Sequence, residues 1–581
     1  MAIKLAKTAG FCMGVKRAVD IVLDIAQKNS NRKIYTYGPL IHNPQTIDLL
    51  KRRGVFPIER IDDIDPSGGT ILIIRAHGIS PEERTRIRDR GVTIVDATCP
   101  KVAHVQSIIK KHATRDYTTV IVGDREHPEV NGLLGYAGER GVVLSRESEV
   151  ENLPDTDRLC VVAQTTQNMD EYNRIVAGIR KRFPAAVIFN TICDSTERRQ
   201  SEVKELAKRA DAMIIIGGKN SANTRRLAGL SEQEGKPTFH IETVKELPNR
   251  VIAAYENIGV SAGASTPNWI INRVVDTLTE LQGERTGHLA SFVKLWTLTV
   301  KTELYSAFGA GCLAYTSMLL QGMAPHPTVI LAMVLYVFAM HTLNRFLDRE
   351  TNAIIGSFRE EIYRSHKKRY IGAALVSLLA SLFLAYTLGS GPFSLLLLIS
   401  VLGILYNMPI LPFRHRFRRL KDLPGSKNLS VALAWAAVGA VLPALTAGRH
   451  GLSTVMPVAF LFIFAIVFVR SSMSDLLDIQ SDRLIGRETI PVVIGEKRTR
   501  RLLTAIVLPT GLLLFFSYFL GWSSSLALVL LACLFYILIC FKLYDRRLEF
   551  SGVVLEGLLE TMYVVTGAAS FLWRLAVRFW F

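Results

Sequence analysis

The sequence predicts two folds in one chain: an α/β protein of three similar modules, then an all-α polytopic membrane domain of about nine helices. Three observations carry that expectation. Up to about residue 290, charged residues are scattered, and short apolar runs such as TILIIRAHG and DAMIIIGGKN are bounded by Gly, Pro and Asp. Beyond about residue 300 the apolar stretches lengthen, as in IGAALVSLLASLFLAYTLG, toward the roughly 20 residues that cross a bilayer. At 581 residues the chain is also too long for one ordinary domain.

The short apolar runs alternate with helix-like stretches, as in a parallel-sheet protein. The expected divisions are residues 1–282 for the α/β part, a linker over 283–300 around LQGERTGHLAS, and 301–581 for the membrane part. Nine spans are expected, near 303–322, 327–343, 370–389, 393–410, 429–447, 454–470, 502–520, 524–541 and 553–573. Loops near 344–369, 411–428, 470–501 and 542–551 hold seven, six, seven and three Lys or Arg, whereas the opposite loops hold one, Arg449. The positive-inside rule then puts the basic loops and the α/β half in the cytoplasm, as in a multi-pass inner-membrane protein. MAIKLAKTAG lacks the apolar core of a signal peptide. Much of the net charge of +18 lies in membrane-proximal loops, where it sets topology and meets the lipid bilayer, so nucleic acid is not an expected partner.

Of seven cysteines, Cys312, Cys533 and Cys540 fall in apolar spans and Cys160 in a strand-like run, where packing explains them. The other three appear in FCMGV, DATCPKV and TICDSTERRQ, each opening a helix-like segment. Cys12, Cys99 and Cys193 are separated by 87 and 94 residues, near-equal steps that suggest three similar modules. A thiolate at a helix N-terminus is stabilised by exposed backbone N–H groups. Spacing alone leaves three unrelated capping cysteines equally open.

Polar residues between them favour a site. GPLIHNPQ carries His42, IIRAHGIS His77, and REHPEVNGLLG both His127 and Glu129. AQTTQN carries Thr165, GGKNSANTRRL Ser221 and Asn223, and SAGASTPNW Ser265. Each follows or ends an apolar run, where parallel sheets present binding groups.

Over about residues 1–282 these segments, in this order, resemble the 4-hydroxy-3-methylbut-2-enyl diphosphate reductase family, which closes the methylerythritol phosphate route to isoprenoids. The resemblance implies an α/β three-module trefoil around a 4Fe–4S cluster, with Cys12, Cys99 and Cys193 as ligands. It implies reductive dehydroxylation of (E)-4-hydroxy-3-methylbut-2-enyl diphosphate to isopentenyl and dimethylallyl diphosphates. Such a cubane usually takes four thiolates; three leave one iron with an open position, able to act as a Lewis acid. Glu129 is the implied proton donor to the leaving oxygen, and Thr165 orients the hydroxyl and relays the proton. His42, His77 and His127 are implied to bind the diphosphate, partly or wholly protonated against the anion. Ser221, Asn223 and Ser265 hydrogen-bond it. Ala222 stands where some family members have serine, which leaves only a backbone N–H there. GGKN and VSAGAS are too short for a dinucleotide fingerprint, so electrons are expected from a ferredoxin or flavodoxin. A zinc site of three cysteines and one histidine uses the same ligand inventory but leaves the diphosphate-type donors unexplained.

In the membrane half, NRFLDRETN sets Asn344, Asp348 and Asn352 four residues apart on one helix face. After the sixth span, SDLLDIQSDRLIGRETIPVVIG sets Asp475, Asp478 and Asp482 three and four apart. With YNMPILPFRHRFRRLK, this pattern over about residues 290–581 resembles the UbiA superfamily of intramembrane prenyltransferases. The resemblance implies a prenyl diphosphate held through Mg²⁺ by Asn344, Asp348, Asp478 and Asp482, with Asp475 a weaker candidate. Hard oxygen ligands suit that ion. Asn352 replaces the usual final aspartate, which weakens one metal site. A non-catalytic anchor or prenyl-lipid-binding module is the alternative at this stage.

Overall fold

The computed structural model describes residues 2–29, 31–65, 69–283, 288–347, 363, 366–408, 419–446, 455–545 and 552–580. The chain divides into two compact units, Met1–Gln282 and Gly283–Phe581.

The first unit is built on three four-stranded parallel sheets. One module holds β2 (Ile34–Tyr37), β3 (Val55–Ile58), β4 (Ile71–Ile74) and β5 (Thr93–Asp96). The next holds β6 (Thr118–Val122), β7 (Gly141–Leu144), β8 (Leu159–Ala163) and β9 (Val187–Ile188). The last holds β10 (Ala212–Ile216), β11 (Thr238–Ile241) and β12 (Asn257–Ala262), completed by β1 (Ala2–Leu5) from the start of the chain. The sheet orders β3-β2-β4-β5, β7-β6-β8-β9 and β11-β10-β12-β1 are the same order three times. β1 joins β12 in parallel, with Ala2 opposite Asn257.

Composition explains the central strands. β4 (ILII), β8 (LCVVA) and β10 (AMIII) are apolar and buried at every position, as parallel strands covered on both faces must be. Side chains alternate between two cores. Val120, Val122, Val161 and Ala163 pack with Tyr172, Ile175 and Ile179, while Ile121, Cys160 and Val162 pack with Val105, Ile109 and Leu133. Cys160 is thus a core residue, and burial pushes its thiol up to about 12.

The second unit is helical. Among the described residues, eight helices are long and apolar enough to cross a membrane: Pro327–Leu347, Lys367–Thr387, Ser390–Asn407, Ser426–Thr446, Val455–Leu477, Glu496–Phe519, Leu526–Asp545 and Gly552–Arg578. Leu304–Leu320, expected as the first span, is an apolar helix of 17 residues. It starts where Glu303, with a left-handed φ of 61°, breaks from the helix His288–Lys301. A shared core joins Leu313 and Met318 to Met333, Tyr336, Phe462 and Tyr563. Cys533 and Cys540 are buried, and Cys312 lies against Gly567, where an added Cβ would approach its Cβ to 2.6 Å. Val376, Leu379, Phe383 and Phe516 are exposed, as lipid-facing positions are. The chain is a multi-pass membrane protein.

Candidate active sites

Each module delivers its polar residues at the same three places, beyond the C-terminal ends of its strands. Past the first strand come His42 (after β2), His127 (after β6) and Ser221 with Asn223 (after β10). Past the third come His77 (after β4), Thr165 (after β8) and Ser265 (after β12). Past the edge strand come Cys99 (after β5), Cys193 (after β9) and Cys12 (after β1). All of these residues, with Glu129 and Ala222, line one cavity of about 100 Å³.

The cysteines occupy equivalent positions. Cys12, Cys99 and Cys193 are the N-caps of the helices Met13–Lys28, Pro100–Ala113 and Asp194–Arg209. Each donates its N–H to the carbonyl two residues past its module's third strand: Ala264 at 3.1 Å, Ala76 at 2.9 Å and Thr165 at 2.9 Å. The Val15 N–H points at Cys12 Sγ, 3.4 Å away. A Cβ on Gly14 would lie 2.5 Å from Cys99 Sγ and 3.9 Å from Cys12 Sγ, so this wall admits no side chain. Burial pushes the Cys99 thiol up, opposed by the N–H groups of Lys101 and Val102. Metal binding must therefore draw off its proton.

This donor set fits an iron–sulfur cluster: soft sulfur ligands at three helix N-termini, with the buried guanidinium of Arg199 in electrostatic reach of Cys12 and Cys193. Arg199 also donates to the carbonyls of Gly10 and Ala262 at 3.0 Å each, which fixes it beside the sulfurs. Among the described residues, the set convergent enough for a single ion is His42, His77 and His127, and no cysteine belongs to it.

The three histidines form a close triad. The ring centroids lie 4.9 Å (His42–His77), 5.3 Å (His77–His127) and 6.0 Å (His42–His127) apart. The Glu129 N–H donates to His127 Nδ1 at 3.1 Å, so His127 carries its hydrogen on Nε2. A ring fixed in that tautomer offers a donor rather than a metal-binding lone pair. His42 Nε2, His77 Nδ1 and Asn223 Nδ2 are buried without a partner among the described residues, in keeping with a phosphate-like ligand. Sequence reasoning expected these histidines to be partly or wholly protonated against an anion; within the protein itself, burial governs. Burial, reinforced by Arg75, lowers His42 and His77 and takes His127 down to about 3, so all three are neutral at pH 7. Desolvation outweighs the charge a histidine gains only once an anion is beside it.

Glu129, 1 % exposed, accepts from the Thr165 N–H at 2.7 Å and from the Thr165 hydroxyl at 2.9 Å. Burial nevertheless raises its carboxyl above the ordinary value, the direction a proton donor needs. Ser265 donates to the His42 carbonyl at 3.2 Å, and Ser221 caps the helix Ala222–Gln233. Sequence reading missed Arg75, Arg199 and Arg226. Arg226 donates to Asp124 at 2.8 Å and to Thr166 at 3.3 Å beside Glu129; Arg75 lies in the loop after β4, Arg199 and Arg226 lie within charged helices, and none of the three carried a spacing signal.

In the membrane unit, Asp475 is 3 % exposed; it accepts from Lys427 at 3.0 Å and from Asn428 at 2.8 Å. Asp478 sits at the junction with the short helix Ile479–Ile485, and burial raises the carboxyl of Asp482 within that helix. A buried carboxylate reluctant to ionise beside other acids fits a divalent cation. Asn344 accepts from Asn407 at 3.2 Å. Asp348 and Asn352 lie outside the described residues.

Residues 3–279 match the family model described as LytB protein, and residues 305–551 match that of the UbiA prenyltransferase family. The 4-hydroxy-3-methylbut-2-enyl diphosphate reductase of Clostridium perfringens is 42% identical over 279 residues, 48% of this chain and 98% of that protein. Its counterpart from Thermoanaerobacter is 41% identical over 284 residues, 49% of this chain and 99% of that one. A solved structure of (E)-4-hydroxy-3-methyl-but-2-enyl diphosphate reductase, 42% identical, covers 48% of this chain and 100% of its own, with a TM-score of 0.39. A UbiA homolog from Archaeoglobus fulgidus bound to DMAPP and Mg²⁺ is 17% identical, covering 47% of this chain and 97% of its own, with a TM-score of 0.36. The chain belongs to the 4-hydroxy-3-methylbut-2-enyl diphosphate reductase family, with a UbiA prenyltransferase family domain following the reductase domain.

Proposed function

We propose that the first unit reduces (E)-4-hydroxy-3-methylbut-2-enyl diphosphate to isopentenyl and dimethylallyl diphosphates. One observation carries the reading: three helix-capping cysteines, the Glu129–Thr165 pair and the histidine triad line a single cavity. Cys12, Cys99 and Cys193 would hold a 4Fe–4S cluster, which supplies electrons and a Lewis-acidic iron when bound. His42, His77, His127, Ser221, Asn223 and Ser265 bind the diphosphate, each offering a donor and no carboxylate. The backbone N–H of Ala222 joins them. Thr165 holds the substrate hydroxyl and passes it the proton kept on Glu129, whose burial favours the protonated form. Burial of Glu129, 1 % exposed, keeps that proton from bulk water and available to the leaving oxygen. Electrons come from a ferredoxin or flavodoxin.

The second unit is an intramembrane prenyltransferase in this reading. Asn344, Asp348, Asp478 and Asp482, supported by Asp475, hold a prenyl diphosphate through Mg²⁺, and Lys427 adds positive charge. The Lys and Arg excess in one set of loops supports a cytoplasmic reductase at the inner membrane. The test is anaerobic purification of the full chain, with iron and sulfide analysis and an assay of both five-carbon products under a reduced dye. Product formation that needs all three cysteines is expected; reduction without iron would refute the reading.

A further inference from the structure

The membrane unit holds a second layer of buried charge, apart from the aspartates. Glu303, 4 % exposed, has a left-handed backbone at φ 61°, a conformation uncommon in non-glycine residues that costs backbone strain. Its carboxylate is ion-paired with Arg345 and accepts from His341 Nδ1–H at 3.4 Å. That bond leaves the lone pair of His341 on Nε2, which makes no hydrogen bond among the described residues, and the side chain is 21% exposed. The His341 ring packs on Trp435 with centroids 5.6 Å apart, and Trp435 on Tyr563 at 5.3 Å. Arg470 pairs with Glu560, which is 0 % exposed, and is in electrostatic reach of Glu303 and Glu556. The Nε groups of Arg345 and Arg470 are buried with no acceptor among the described residues.

This layer adjoins the aspartate motif. His341 precedes Asn344 by one helical turn on the same face, and Glu556 is in electrostatic reach of Asp478. A purely structural lock would not need it. Apolar residues hold a bundle at lower desolvation cost than two buried ion pairs, and a lock gains nothing from a strained Glu303 or two unused guanidinium donors.

We infer that this layer is the acceptor site of the prenyltransferase, that it takes a neutral hydroxyl-bearing acceptor, and that His341, oriented by Glu303, removes the hydroxyl proton. The inference rests on the prenyl-transfer reading above. The acceptor oxygen bonds to C1 of the allylic group as the bond from C1 to the diphosphate oxygen breaks. The electron pair leaves with the diphosphate, and the acceptor proton goes to His341 Nε2, so nothing is oxidised or reduced. The spare Nε–H donors of Arg345 and Arg470 hold the acceptor's oxygens. The layer carries no excess positive charge, which suits an un-ionised acceptor.

The experiment uses the full chain in vesicles made from its expression membranes, with Mg²⁺ and radiolabelled farnesyl diphosphate. H341Q is expected to keep Mg²⁺-dependent farnesyl diphosphate binding while losing transfer about 100-fold or more. H341A should regain transfer as imidazole is added, a rescue that a structural role does not give. E303Q should lower kcat and leave the KM for farnesyl diphosphate unchanged. Wild-type transfer with H341Q equally active overturns this inference and leaves the prenyltransferase reading standing. Absence of transfer by the wild-type chain overturns both.

Discussion

At Glu129 two opposing effects meet. Thr165 gives it two hydrogen bonds that favour the carboxylate, yet complete burial favours the acid, and burial wins. Turnover should therefore fall as pH rises through this elevated pKa, and E129Q should flatten that limb. General acids contribute about 10²–10⁴-fold, so E129Q should lose that much rate with iron content unchanged. A pH–rate profile beside iron analysis checks both. His127 gives a stability prediction. Its folded pKa of about 3 lies below the unfolded value, so below about pH 6.5 the unfolded chain binds the extra proton. Stability of the first unit should fall between about pH 6.5 and 3, with a slope from His127 of at most ~1.4 kcal/mol per pH unit. H127N should flatten the acid limb of thermal melts followed against pH. The site residues Cys12, Cys99, Cys193, Glu129 and the triad were legible because each sits in a short polar motif beside an apolar run. The triad's neutrality was not, because desolvation depends on tertiary burial. Nor was Glu303, whose partners Arg345 and His341 lie about forty residues away.

The helix starts are the elements that make the first site. A cysteine at each N-cap aims its sulfur along exposed N–H groups, and Gly14 keeps the space between two of them open. G14A adds a Cβ 2.5 Å from Cys99 Sγ and should cut cluster occupancy sharply, while the apoprotein melts within about 1–2 kcal/mol of wild type. Iron analysis and calorimetry separate the two effects. S221A removes the cap of the helix Ala222–Gln233 and should cost about 1 kcal/mol in thermal unfolding. These helix starts were readable as strand–loop–helix transitions. The pairing of β1 with β12 was not, since parallel pairing across the whole first unit leaves no local pattern. The span expected at 303–322 came out as Leu304–Leu320, losing one residue at the left-handed Glu303 and two at the turn of Gln321 and Gly322, neither of which hydropathy shows.

Across the whole molecule, two units of different chemistry share one chain, and each matches a different family model. Their sites use separate residues. D478N and D482N should abolish Mg²⁺-dependent prenyl transfer in vesicles while leaving iron content and five-carbon product formation as in wild type. The change from α/β to membrane helices was plain from apolar run length. Arg470, counted with the basic loop 470–501, lies inside the helix Val455–Leu477, and its pairing with Glu560 could not be read because it is tertiary. The chemistry of the first unit depends most on the metal the three cysteines hold. Mössbauer spectroscopy of the anaerobically purified, ⁵⁷Fe-enriched full chain tests it directly. A 4Fe–4S spectrum with one iron distinct from the other three is the expected result. Zinc in place of iron, or four equivalent thiolate-bound irons, would contradict it.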